Sequence, residues 1–146
     1  MHGLTDPREP FFKDGGWGWT GTRWRRLQMT WGYSAIWDED FAGVATDTSY
    51  TAAASVIPAG EVWVLQAASL RNKTGTSANA LIFVERGSGA SVAIESVLAL
   101  AQWIPILATG MFALVTGDRL KIYLGSIQVD DALEGGVIGY KMKIAE

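Results

Sequence analysis

Arg119-Leu120-Lys121-Ile122-Tyr123-Leu124 changes character at every residue. Leu120, Ile122 and Leu124 fall on one side of an extended chain, and Arg119, Lys121 and Tyr123 on the other. That is the period of two expected of a strand with one buried face. Thr116-Gly117-Asp118 just before it is a turn. Outward from this strand, the same two signals alternate at the roughly 8–12-residue spacing of a sandwich or barrel. Toward the C-terminus a polar, acidic loop over residues 126–135 leads to a last strand. There Ile138, Tyr140, Met142 and Ile144 are expected inward, with Lys141 and Lys143 outward. Toward the N-terminus lie a short strand over residues 111–115, a strand over 80–86 ending at the turn Gly87-Ser88-Gly89, and a polar loop over 72–79. A long strand over 61–71 comes after the turn Pro58-Ala59-Gly60, and Tyr50, Ala52, Ala54 and Val56 form one face of a first strand.

Residues 90–107 read two ways. Val92, Ile94, Leu98 and Leu100 suit a strand, while Ile94, Val97, Leu98 and Ala101 suit a helix. Gly and Pro at the two ends favour two strands. The sum is an all-β domain over residues 45–146, an antiparallel jelly roll or β-sandwich of about eight strands. Several middle strands are apolar on both faces. Val62 and Val64 oppose Trp63 and Leu65, and Leu81 and Phe83 oppose Ile82 and Val84. One face fills the sandwich, and the other needs a cover, either from the same chain or from a neighbouring subunit.

Residues 1–44 differ in kind. Five of the seven tryptophans fall there: Trp17, Trp19, Trp24, Trp31 and Trp37. Pro7 and Pro10 keep the start extended, and Gly15, Gly16, Gly18 and Gly21 loosen the next section. Leu27, Met29, Trp31 and Tyr33 then alternate with Gln28, Thr30, Gly32 and Ser34 as one strand. Arg23, Arg25 and Arg26 precede that strand, and Asp38, Glu39 and Asp40 come after it. The two clusters have opposite charge and can pair between copies. A segment with so much indole surface and so little folding capacity is expected to bury it elsewhere. Residues 1–44 are therefore expected to form an extended assembly arm. Its interface residues are Trp17, Trp19, Arg23, Trp24, Arg25, Arg26, Leu27, Met29, Trp31, Tyr33 and Trp37.

Composition excludes much chemistry. Cysteine is absent and His2 is the single histidine, so Ser-His and Cys-His nucleophiles and ordinary zinc sites are unavailable. No phosphate-cradling or dinucleotide motif occurs. Paired carboxylates remain, among Asp38, Glu39, Asp40, Glu61, Glu85, Glu95, Asp118, Asp130, Asp131 and Glu134, but their spacing selects no pair. Neither acidic run fits the EF-hand spacing. No enzymatic activity, cofactor or metal is expected. A net charge of −3 argues against nucleic acid as a partner. The most apolar stretch, residues 97–107, is too short to span a bilayer, so no membrane is expected either.

Two segments carry a resemblance. Ile57-Pro58-Ala59-Gly60-Glu61-Val62-Trp63 enters the long strand, and Leu114-Val115-Thr116-Gly117-Asp118-Arg119-Leu120 enters the late one. Together they resemble small virion proteins of tailed bacteriophages, the capsid decoration (cement) and tail-associated proteins with jelly-roll folds. Ile57 stands where that pattern has valine. The likeness covers residues 48–146 and implies a homotrimer in the virion, made in the host cytoplasm, that stabilises the head. The implied partners are itself and the major capsid protein or neighbouring virion subunits. Two other readings fit the same residues: a tail or connector ring subunit, and a carbohydrate-binding or host-contacting module that stacks Trp17 and Trp19 on sugars.

Overall fold

The structure is a computed structural model that describes residues 35–144, together with the backbone of residues 17–19 and 24–26. A short hairpin joins β1 (Trp17–Trp19) to β2 (Trp24–Arg26). Eight further strands come next: β3 (Ala35–Val44), β4 (Ser49–Ala53), β5 (Glu61–Asn72), β6 (Ser77–Glu85), β7 (Ser91–Leu100), β8 (Ile106–Leu114), β9 (Arg119–Gly125) and β10 (Ala132–Lys143). The described residues contain no helix, so residues 90–107 resolve to β7 and the first part of β8.

The eight strands pair as a ribbon folded back on itself. β3 pairs β10, β4 pairs β9, β5 pairs β8 and β6 pairs β7, all antiparallel. Rolling the ribbon adds two pairings, β10 with β5 and β9 with β6. The result is two four-stranded sheets, ordered β3-β10-β5-β8 and β4-β9-β6-β7. This is the jelly-roll sandwich expected from the sequence.

The core lies between the sheets. Leu120, Ile122 and Leu124 of β9 are fully buried, as the alternation requires. They meet Trp37, Leu65, Leu70, Ile82, Ile106, Leu114 and Val137. Trp37 and Trp63 are in ring contact, centroids 5.2 Å apart and tilted by 57°. Their indole N–H groups do not go unsatisfied: Trp37 donates to Glu39, and Trp63 to Glu61 at 2.9 Å.

Trp37 corrects the domain boundary. The sequence reading places residues 35–44 in the arm, yet they form β3, paired with β10 from Ala35↔Lys141 to Val44↔Ala132. The inward positions of β3 are Trp37, Glu39 and Phe41. Glu39 hides that alternation, because a carboxylate at an inward position reads as surface. Its oxygens also accept hydrogen bonds from Ser55, from the backbone N–H at 3.0 Å and the hydroxyl at 2.9 Å. Trp37 is therefore a core residue, not an interface residue.

The last strand is inverted relative to expectation. Ile138 and Ile144 are about half exposed, while Leu133 and Val137 are buried. Lys141 lies with its ammonium 4.1 Å above the Trp63 ring. The cause is glycine at inward positions. A Cβ on Gly135 would sit 2.0 Å from the Ser69 carbonyl oxygen, and one on Gly139 2.0 Å from that of Val64. With side chains missing from inside, the apolar residues that remain visible to periodicity are the outward ones. Val56 likewise is half exposed, and Ile57 takes the buried place after β4 ends.

The two turns that carry the resemblance sit side by side. Ile57 N–H donates to the Asp118 carbonyl at 3.0 Å, and Gly117 N–H to the Ile57 carbonyl at 2.9 Å. Gly60 and Gly117 take φ of 78° and 86°, the left-handed region that favours glycine. Asp118 accepts from the Val115 N–H at 3.0 Å and from Arg86.

A second clasp ties the β5–β6 loop to the β9–β10 loop. Asp131 accepts hydrogen bonds from Asn72 Nδ2 at 2.7 Å, Thr74 Oγ1 at 2.9 Å and the Gln128 N–H at 2.9 Å. Burial pushes the Asp131 carboxyl up, but these three donors together hold it below its ordinary value. A carboxyl depressed in the folded state stabilises above its unfolded pKa of 3.8 and loses that contribution as pH falls through the folded value. Asp131→Asn should cost about 1–3 kcal/mol at neutral pH. It should also flatten the acid limb of stability, read by urea unfolding at pH 7 and pH 3. Parallel pH curves for the two proteins would contradict the clasp.

Candidate functional site

The register of the β3-β10-β5-β8 sheet sets three rows of residues on its outer face. Asp38, Ile138, Ala67 and Thr109 form the first, and Asp40, Gly136, Ser69 and Leu107 the second. Ala42, Glu134 and Arg71 form the third. The middle of the face is made of Gly136, Ser69, Ala67 and Ala42, which carry little or no side chain. The sheet is consequently hollow there, with a trough of about 640 Å³. That is the size of an ordinary small-ligand cleft, roughly 300–1,000 Å³, but open along its length.

The walls differ. Asp38 and Asp40 stand exposed along β3, with no hydrogen-bond or ion-pair partner among the described residues. The opposite side is apolar, with Pro105 lining the trough and Leu107 half exposed beside it. One end carries Ile138, 55% exposed. The other end is closed by Glu134, which binds Arg71 at 2.8 Å and Lys73 at 3.1 Å. Both cations hold the Glu134 carboxyl below its usual range. Beyond Arg71 stands Trp103, half exposed, its ring 5.1 Å from the guanidinium carbon.

This face continues into further exposed apolar side chains. Ile36 and Met111 are each 67% exposed. Both lie on edge strands, β3 and β8, where backbone groups are also unpaired on one side. β8 has no charged residue over its nine positions and bends at a bulge, Gly110-Met111 opposite Gln66. Edge strands of this length are usually blunted by charge, so a bare one signals pairing or cover.

The carboxylates available for catalytic pairing are mostly engaged in holding the fold. Glu39 serves Trp37 and Ser55, Glu61 serves Trp63, and Glu85 binds Lys121 at 2.7 Å. Asp118 and Asp131 hold the two clasps. No cluster of three or more His, Cys, Asp or Glu residues suited to a metal occurs among the described residues.

Of the interface residues expected from the sequence, Trp17, Trp19, Trp24, Arg25 and Arg26 lie on the β1–β2 hairpin. Its register sets Trp17 opposite Arg26, Gly18 opposite Arg25 and Trp19 opposite Trp24. Trp17 and Trp19 therefore belong to a strand. Arg23, Leu27, Met29, Trp31 and Tyr33 lie outside the described residues. The trough escapes a reading of the sequence because no motif marks it. Its trace there is the set of small residues Ala42, Ala67, Ser69 and Gly136 beside two unpaired aspartates.

No protein-family model matches the chain, and no curated protein matches it. Among solved structures, the chain is similar to one in the structure of infectious bursal disease virus Gt strain. The identity is 12%, over 86% of this chain and 37% of that one, with a TM-score of 0.41. A chain in the structure of the Gx strain of the same virus is similar at 7% identity, over 88% of this chain and 46% of that one, with a TM-score of 0.26. This chain thus spans less than half the length of either.

Proposed function

We infer that the protein is a structural subunit of a tailed-phage particle, a capsid decoration protein that stabilises the head by adhesion. The observation that carries this reading is the open face of the β3-β10-β5-β8 sheet. A sandwich with a complete internal core still presents Ile36, Leu107, Met111 and Ile138 to solvent on that sheet. Apolar surface of this kind marks an interaction site. Each buried tryptophan of the arm would contribute on the order of 2–3 kcal/mol on docking. Many copies on one shell multiply weak contacts by avidity. The jelly-roll turns supply the link to phage decoration proteins. The engaged state of most carboxylates favours adhesion over catalysis. The test is the composition of purified particles of the phage that encodes the chain. A fixed, high copy number per particle supports the reading, and absence from particles removes it.

A further inference from the structure

We propose that β8 is a self-complementary sheet edge that pairs antiparallel with β8 of a second copy. A twofold axis through Gly110 would join the two β3-β10-β5-β8 sheets into one of eight strands. The inference stands whether or not the chain belongs to a particle.

Charge is the first support. The sandwich has four edge strands, β3 and β8 in one sheet and β4 and β7 in the other. β3 holds Asp38, Glu39 and Asp40 at its middle, and β7 holds Glu95. β4 has only five residues. β8 has nine residues and no charge, and its Leu107 and Met111 are 52% and 67% exposed. Edges are normally blunted by charge or by shortness. Pairing a strand with its own copy about a twofold brings like residues close together, so a charged middle repels itself. Of the four edges, β8 is the long one free of that repulsion.

Side-chain size is the second support, and it selects a copy of β8 itself. Inward Ile106, Ala108, Phe112 and Leu114 alternate with outward Leu107, Thr109, Met111 and Ala113. The bulge is a shift of register against β5, and the alternation of β8 runs unbroken through it. About an axis at Gly110, Leu107 lies opposite Ala113 of the second copy, Ala108 opposite Phe112, and Thr109 opposite Met111. Each larger side chain meets a smaller one, the condition for close packing across facing strands. Gly110 faces Gly110, so no side chain stands at the axis.

Position in the sheet is the third support. Residues 1–34 join the sandwich at β3, the opposite edge from β8. A strand from that segment would sit beside β8 only after crossing four strand spacings, about 19 Å. A second copy meets β8 without crossing anything. Joined this way, the outer faces of the two sheets become one surface with Leu107 and Met111 of both copies at its centre. A contact made along a single strand is small, below about 1,200 Å², and belongs with the weak, concentration-dependent interfaces.

The test uses the full chain, with its molar mass read by sedimentation velocity over a range of concentrations. The wild type should dimerise as concentration rises. Thr109 and Met111 are exposed, so Thr109→Lys/Met111→Lys should keep the wild-type urea midpoint. That variant sets lysine against lysine across the axis and should weaken dimerisation by at least about tenfold. Thr109→Glu/Met111→Glu should do the same. An equimolar mixture of the two should recover the dimer, because opposite charges then face each other. The chain has no cysteine, so an added oxidant reads the register directly. Directly opposite residues lie within disulfide reach, and a mixture of Thr109→Cys and Met111→Cys chains should cross-link faster than either chain alone. A monomeric wild type overturns the proposal, and one that dimerises only after residues 1–34 are removed does so in favour of the chain's own segment as the cover of β8. A mass unchanged by the lysine pair, a charge-swapped mixture that stays dissociated, or cross-linking no faster in the mixture than alone overturns it as well.

Discussion

Removal of residues 1–44 should unfold the protein, whereas removal of residues 1–34 should leave it folded. The two truncations differ by β3 alone. That strand places Trp37 in full burial and Phe41 nearly so, and it pairs β10 from Ala132 to Lys141. Among the described residues, every member of the buried core lies between positions 37 and 137, so the shorter deletion removes none of them. The longer one strips the indole from Trp63 and opens the edge of the sheet. Trp37→Ala on its own should cost about 3–5 kcal/mol, a large part of the roughly 5–15 kcal/mol typical of a domain. Thermal melts by circular dichroism separate the cases. A chain lacking residues 1–44 that still melts cooperatively at the full-length temperature contradicts the placement of β3.

Gly139→Ala and Gly135→Ala should be nearly as damaging. In each, the new methyl would lie 2.0 Å from a backbone carbonyl oxygen of β5, that of Val64 or of Ser69. Backbone cannot swing aside as a side chain can, so β10 and β5 must separate along their shared ladder. Overpacking of this kind costs about 3 kcal/mol or more. Gly89→Ala is the control. Gly89 has φ of 91° and nothing within 4 Å of its missing Cβ. That substitution should cost only the left-handed backbone penalty, about 1–2 kcal/mol. Urea unfolding of the three variants gives the comparison. Equal losses at Gly89 and Gly139 would mean that the close approach of β10 to β5 is wrong.

Much of this fold is legible in the sequence, and its illegible parts have physical causes. The alternation of β9 survives into the structure because each inward residue carries a side chain and each outward one is polar or amphipathic. β10 fails the same test because Gly135 and Gly139 leave the inner face blank, and the outward Ile138 then reads as core. β8 reads as two strands because Gly110, at φ of 147°, interrupts its pattern. The ladder nonetheless continues past the bulge. That extra strand offsets the loss of β3, so the expected total of about eight is right with two of its members wrong. β5 shows how a bulge acts within one strand. Trp63 and Leu65 point inward before Gln66, and Ala68 and Leu70 after it.

The candidate surface is less legible. A trough built from what side chains lack leaves no motif, and its walls come from strands far apart in sequence. Asp38 and Asp40 are visible as charges, but only the pairing of β3 with β10 sets them beside Gly136 and Ile138. The tryptophans of the arm are visible from composition alone. The structure takes Trp37 out of that set and gives Trp17, Trp19 and Trp24 a shared hairpin.

The proposal that residues 1–34 are the adhesive part of a particle subunit is tested most directly by rebinding. Particles produced without this protein are incubated with the purified full chain or with the chain lacking residues 1–34, and bound copies are counted after sedimentation. The full chain should saturate the particles, and the truncated chain, still folded, should remain in the supernatant. Saturation by both chains at the same concentration would contradict the account.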